Sequence, residues 1–143
     1  MKNNSTFSTF NFQLKKVCVI GLGYIGLPTS ALLANHGYDV LGVDIAQDVV
    51  DTINAGNIHI VEPELDTFVR SAVNSGKLKA DIVPTEADIF IIAVPTPFHS
   101  TPSTIDDQPS TLGGHTPTPN IDYVVSATKS IAPYVREGNI VIV

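Results

Sequence analysis

Only one cysteine, Cys18, occurs in the 143 residues, and tryptophan is absent altogether. A lone thiol rules out an internal disulfide framework and suits a reducing compartment. Charge is thin too: charged residues make up 15% of the chain, the balance is −6, and no cluster of Lys or Arg forms anywhere. A face that binds nucleic acid needs clustered cations to displace counterions, so nucleic acid is not an expected partner. No apolar stretch approaches the roughly 20 residues that span a bilayer, so no membrane partner is expected either. The opening MKNNSTFSTFNFQLKK has no continuous apolar region and no cleavage site of the kind a secretory signal carries. His36, His59, His99 and His115 share no ligand spacing, and without a second cysteine no metal site is expected. Together these absences predict a soluble, cytoplasmic protein.

What is present is a globular composition, 43% hydrophobic, in a length that suits one domain with a sizeable core. Residues 1–15 are polar and read as a flexible lead-in to a domain covering 16–143. Val17 to Ile20 form a short β-branched run ending at a glycine, as in a strand buried on both faces. Residues 24–35 favour a helix with Pro28 in its first turn and a stop at His36-Gly37. DVLGVD follows as a second strand ending on Asp44, then a short helix over about 46–55 and a break at Gly56-Asn57. In EPELDTFVRSAVNSG, Leu65, Phe68, Val69, Ala72 and Val73 fall on one helical stripe between Pro63 and Gly76. KLKADIV and Ile89–Val94 read as the third and fourth strands, residues 120–137 as a helix thinned by Pro133, and NIVIV as a fifth strand. Tyr123 and Tyr134 read as packing residues on that last helix.

Strands alternating with helices at this spacing predict an α/β fold, a Rossmann-like doubly wound parallel sheet. Its ligand edge lies where strands end and helices begin. Residues 98–119, FHSTPSTIDDQPSTLGGHTPTP, break the rhythm. A structureless loop of this length is uncommon inside a compact domain, and its composition points to a disordered surface insertion, with a lid over the site as the alternative.

VIGLGYIGLPTS carries glycines at the spacing G-x-G-x-x-G, as Gly21, Gly23 and Gly26. That pattern alone is permissive. Here it follows a buried strand and opens a helix, the context a dinucleotide loop requires. Gly21 allows the tight turn, Gly23 leaves room for a pyrophosphate, and Gly26 lets the helix pack close to the strand. The free N–H groups at the helix start would face the anion. Asp44 ends the second strand 18 residues after Gly26, close to where an acid accepts from the adenosine ribose. Its charge would repel a 2′-phosphate, and DIAQD offers no cation to reverse that preference, so NAD is the expected cofactor rather than NADP. The bland alternative is a glycine turn beside a solvated Asp.

The segments KVCVIGLGYIGLPTSALLANHGYDVLGVDI, IHIVEPELDTFV and EADIFIIAVPTPF resemble the N-terminal NAD-binding domain of the UDP-glucose/GDP-mannose dehydrogenase family, over roughly Lys16 to Val143. Within it they look most like the branch that acts on UDP-N-acetyl-D-mannosamine. The resemblance implies oxidation of a sugar-nucleotide C6 alcohol to a carboxylate in two NAD-dependent steps, serving polysaccharide biosynthesis. It implies that Tyr24 and Ile25 present backbone to the pyrophosphate, that Asp44 holds the adenosine ribose, and that Thr96 lies beside the cofactor. From the residues alone Thr96 is equally a turn hydroxyl between two prolines. Glu62 matches an E-P-x-L segment of the family, but next to Pro63 it reads first as an acid complementing a helix N-terminus.

The family also implies a later cysteine that holds the intermediate aldehyde, a connecting helix through which full-length relatives form homodimers, and a domain that binds the nucleotide sugar. Cys18 is not that cysteine: it lies within the first strand, where a thiol packs as a small hydrophobe, and only Lys15 and Lys16 are near enough to lower its pKa. The sheet is therefore expected to be incomplete, stopping at about the fifth strand, and the chain to be inactive alone, with no catalytic residue of its own. Rival readings keep the fold but change the substrate to UDP-glucose, UDP-N-acetylglucosamine or a small β-hydroxy acid, or make the chain a non-catalytic dinucleotide-binding module.

Overall fold

The computed structural model describes residues 16–97 and 119–143. The expected lead-in over 1–15 and nearly all of the 98–119 insertion lie outside the described residues. Five strands and four α-helices follow in order: β1 (Lys16–Ile20), α1 (Gly26–Asn35), β2 (Asp39–Val43), α2 (Gln47–Asn54), α3 (Leu65–Asn74), β3 (Leu78–Asp81), β4 (Ile89–Ile92), α4 (Asp122–Ile131) and β5 (Ile140–Ile142). A single 3₁₀ turn, Ala132–Tyr134, follows α4. All strand pairs are parallel, in the order β3-β2-β1-β4-β5. The chain winds outward from β1 to β3, then returns to the other side of β1. In sheets of this kind ligands bind outside the carboxyl ends of the strands at such a reversal, here between β1 and β4.

Alternation along each strand sorts the core into two faces. On one, Val17, Val19, Val40, Leu78 and Ala80 pack with Leu27, Ala31, Val50, Ile53, Val69 and Ala72 of the three helices α1 to α3. On the other, Cys18, Ile20, Val43, Phe90 and Ile92 pack with Ala127 and Ile131 of α4. Helices on both faces make the sheet doubly wound, as the alternating pattern predicts. A buried side chain of the size of Phe90 or Leu27 contributes about 1.5–3 kcal/mol through water exclusion. The return from β3 to β4 has no helix; residues 82–88 cross the second face, where Thr85 offers a backbone hydrogen bond to Cys18. The Lys16 N–H donates to the Asp88 carboxylate at 2.9 Å, which fixes the far end of that crossing.

The helix boundaries differ from the sequence pattern for local reasons. α1 begins at Gly26 rather than Tyr24, because the glycine turn occupies the intervening residues. α3 begins at Leu65, since Glu64 sits at φ +63° in the left-handed region, so Pro63 precedes the helix instead of opening it. Phe68, placed on its apolar stripe, is 46% exposed. α4 stops at Ile131, and the chain tightens into the 3₁₀ turn around Pro133. Tyr134 packs against the second core face, whereas Tyr123 is exposed.

Candidate functional site

The turn between β1 and α1 stands at the carboxyl edge of the sheet, and backbone contacts to its neighbours set its shape. The Gly21 N–H donates to the Val43 carbonyl at 2.8 Å, and the Ala93 N–H donates to the Ile20 carbonyl at 2.8 Å. Gly21 has φ +93°, and a Cβ there would stand 2.7 Å from the Ala93 oxygen, so both conformation and space demand glycine. A Cβ on Gly26 would collide with the Gly21 carbonyl, which is how closely the helix start presses on the turn.

Gly23 differs. Its φ is not in the left-handed region and a Cβ would meet nothing within 4 Å among the described residues, so no packing need among them explains it. The described residues leave the space beside it open. No side chain caps α1, and the first helical bond runs from the Leu27 N–H to the Gly23 carbonyl at 3.0 Å. Uncapped first-turn N–H groups beside a bare glycine form a cradle for an anion. Tyr24 and Ile25 stand exposed on this ledge.

Asp44 follows β2 on the same edge and is half-buried. Its Oδ2 accepts the Leu22 N–H at 2.9 Å, and its Oδ1 accepts the Ala46 N–H at 3.1 Å. Each oxygen keeps a second lone pair for a further donor. The carboxylate therefore ties the turn to the start of α2 and remains open to a hydroxyl pair.

The structure thus brings Gly21, Gly23, Gly26 and Asp44 into one small region. Thr96 lies exposed four residues beyond β4, on the same edge, and makes no hydrogen bond among the described residues. Its link to the turn is indirect: Val94, two residues before it, has its Cγ1 3.2 Å from where a Gly21 Cβ would be. Glu62 is exposed, and Asp66 is the acid in the first turn of α3. Among the described residues no group of His, Cys, Asp and Glu could hold a metal. Cys18 is fully buried, and that burial pushes its thiol up to about 11, against a weaker opposing effect of the Thr85 backbone hydrogen bond. Two residues that the sequence did not single out also shape the site: Leu22 in the turn is completely buried and lies over Gly42 in β2.

A family model described as the NAD binding domain of the UDP-glucose/GDP-mannose dehydrogenase family matches residues 15–143. The chain belongs to this family. NAD is accordingly the cofactor class of the domain. The chain is 53% identical over 130 residues to the UDP-N-acetyl-D-mannosamine dehydrogenase of Campylobacter jejuni, across 91% of this chain and 28% of that protein. It is 45% identical over 132 residues to the NDP-N-acetyl-D-galactosaminuronic acid dehydrogenase of Ralstonia nicotianae, across 92% and 28%. The solved UDP-N-acetyl-mannosamine dehydrogenase Cap5O from S. aureus superposes with a TM-score of 0.76 at 42% identity, covering 89% of this chain and 28% of that one. The chain thus spans little more than a quarter of the length of the relatives it matches, and within them it corresponds to the NAD-binding portion. No helix among the described residues is long and apolar enough to cross a membrane.

Proposed function

We propose that this chain is the NAD-holding part of a nucleotide-sugar 6-dehydrogenase that oxidises UDP-N-acetyl-D-mannosamine to its uronate for polysaccharide biosynthesis. The identity to the Campylobacter jejuni enzyme carries the substrate assignment. The Ralstonia relative, only somewhat less similar, favours as a second reading a nucleotide-linked N-acetylgalactosamine derivative. A cytoplasmic location and a homodimer of the full-length protein complete the proposal.

The open space at Gly23 is the single geometric observation that supports cofactor binding here. The N–H groups of Tyr24, Ile25 and Gly26 would hold the pyrophosphate, helped by the positive end of α1. The free lone pairs of Asp44 would accept from the adenosine ribose hydroxyls, and Thr96 would stand beside the nicotinamide half. Bound NAD supplies the hydride acceptor. This chain's own residues bind and orient it. Cys18 gives no nucleophile for the aldehyde stage, because it is buried and stays a neutral thiol. These residues alone therefore hold cofactor without turning over substrate.

Calorimetric titration with NAD and NADP, on the wild type and on Asp44→Ala, tests the reading. The expected outcome is NAD binding in the micromolar to millimolar range, weaker NADP binding, and loss of NAD affinity in Asp44→Ala by about tenfold or more. A folded wild-type chain that binds neither nucleotide would overturn the assignment of the turn.

A further inference from the structure

We propose that Gly42 is a positioning residue: together with Leu22 it forms a lock that sets the height of the glycine turn, and so the reach of its N–H groups to a dinucleotide pyrophosphate. This rests on the cofactor reading above. The last two residues of β2 and the residue after them hold the turn. Gly42 receives the Leu22 side chain, the Val43 carbonyl accepts the Gly21 N–H at 2.8 Å, and the Asp44 carboxylate accepts the Leu22 N–H at 2.9 Å. Gly42 near the end of β2 and Asp44 just after it thus grip Leu22 by its side chain and by its backbone.

Gly42 has an ordinary φ and sits in a strand, where glycine is unfavourable unless another group approaches closely. That group is Leu22. A Cβ on Gly42 would stand 2.6 Å from Leu22 Cδ2, 3.0 Å from Cδ1 and 3.3 Å from Cγ. Leu22 is fully buried, so its side chain has no solvent-exposed space to retreat into. A methyl group at position 42 must therefore displace the Leu22 side chain, and because that side chain is enclosed, the displacement passes to the Leu22 backbone between Gly21 and Gly23. The N–H groups of the turn then move relative to Asp44, while the Asp44 carboxylate is kept in place through its other oxygen by the Ala46 N–H at 3.1 Å. Affinity for the pyrophosphate falls, and affinity for the ribose alone does not.

The test compares NAD, ADP and adenosine as ligands for wild type, Gly42→Ala, Leu22→Val and the double variant, with thermal melts to establish folding. In Gly42→Ala, NAD and ADP should weaken by about tenfold or more, and adenosine by less than about twofold. Adding Leu22→Val removes the two δ-carbons that meet the new methyl, and should restore NAD affinity to within about threefold of wild type. Equal losses for adenosine and NAD, or a double variant no better than Gly42→Ala, would overturn the lock. If Gly42→Ala fails to fold, Leu22→Val alone decides: loosened from the other side, the turn should lose NAD and ADP affinity and keep adenosine, and unchanged NAD affinity would count against the proposal. A folded wild type that binds adenosine but neither ADP nor NAD is a different result, since it would remove the pyrophosphate reading itself and the lock along with it.

Discussion

Cys18 shows how burial alone decides what a side chain can do. It lies in the central strand with no exposed surface, and its thiol is pushed up to about 11 from an ordinary 9.0. Thiolate is the reactive form, so at neutral pH Cys18 should resist iodoacetamide until the chain unfolds, and labelling should track denaturation midpoint for midpoint. Fast labelling of the native chain would contradict the buried placement. The same shift has a stability consequence of definite sign. Between about pH 9 and pH 11 the unfolded thiol loses its proton while the folded one keeps it, so the unfolded state binds fewer protons and stability falls as pH rises. Relative to Cys18→Ala, wild type should lose about 2–3 kcal/mol across that window, read from urea melts at several pH values. Parallel pH profiles for the two chains would exclude the effect.

Among the elements, α3 is the one whose start goes against local preference. Glu64 takes the left-handed conformation at its N-cap, φ +63° and ψ −8°, with no side-chain cap bond to offset the strain. Its carbonyl accepts the N–H groups of Thr67 and Phe68, so the conformation is needed to launch the helix. Glycine adopts it freely, and Glu64→Gly should raise stability by about 0.5–1 kcal/mol, measured by chemical denaturation. A destabilised Glu64→Gly chain would mean the side chain makes a contribution that its exposure does not suggest. This boundary also marks a limit of the sequence pattern. The stripe of Leu65, Val69 and Ala72 announced α3, because buried periodicity is a property of neighbouring residues in the chain. The left-handed turn ahead of it did not show, since Pro63 looked like an ordinary helix opener and nothing in the letters forces φ positive at a glutamate. The glycine turn was legible for a different reason: its three glycines stand at a fixed spacing between a buried strand and a helix, although only Gly26 owes its bare backbone to the same short segment, and the space Gly21 needs is set by Ala93 beyond β4. Gly42 was not, because its need for a bare backbone comes from Leu22, 20 residues earlier in the chain, and only the parallel pairing of β1 with β2 brings them together.

At the scale of the whole molecule, the sheet is well covered at one side and bare at the other. β1 and β2 sit beneath helices, whereas Ile140, Val141 and Ile142 of β5 are 45%, 42% and 48% exposed. Among the described residues β5 pairs only with β4, and none of them pairs with the outer edge of this apolar strand. Ile140 and Ile142 share a face with Ile89 and Ile91, which are themselves only partly covered, so the strand edge and an apolar face are exposed together. Such an edge templates pairing with another chain, and no proline or lysine within β5 guards it. The 143-residue chain should therefore self-associate, with a sedimentation coefficient that rises with concentration. Ile142→Lys places a charge on that edge without touching the buried core, and should shift the chain toward monomer at equal concentration while leaving NAD affinity unchanged, since the glycine turn follows β1 and Asp44 follows β2, with β4 between them and β5. If wild type and Ile142→Lys sediment alike as monomers, β5 is not an adhesive edge. If both associate equally, the contact lies elsewhere on the surface.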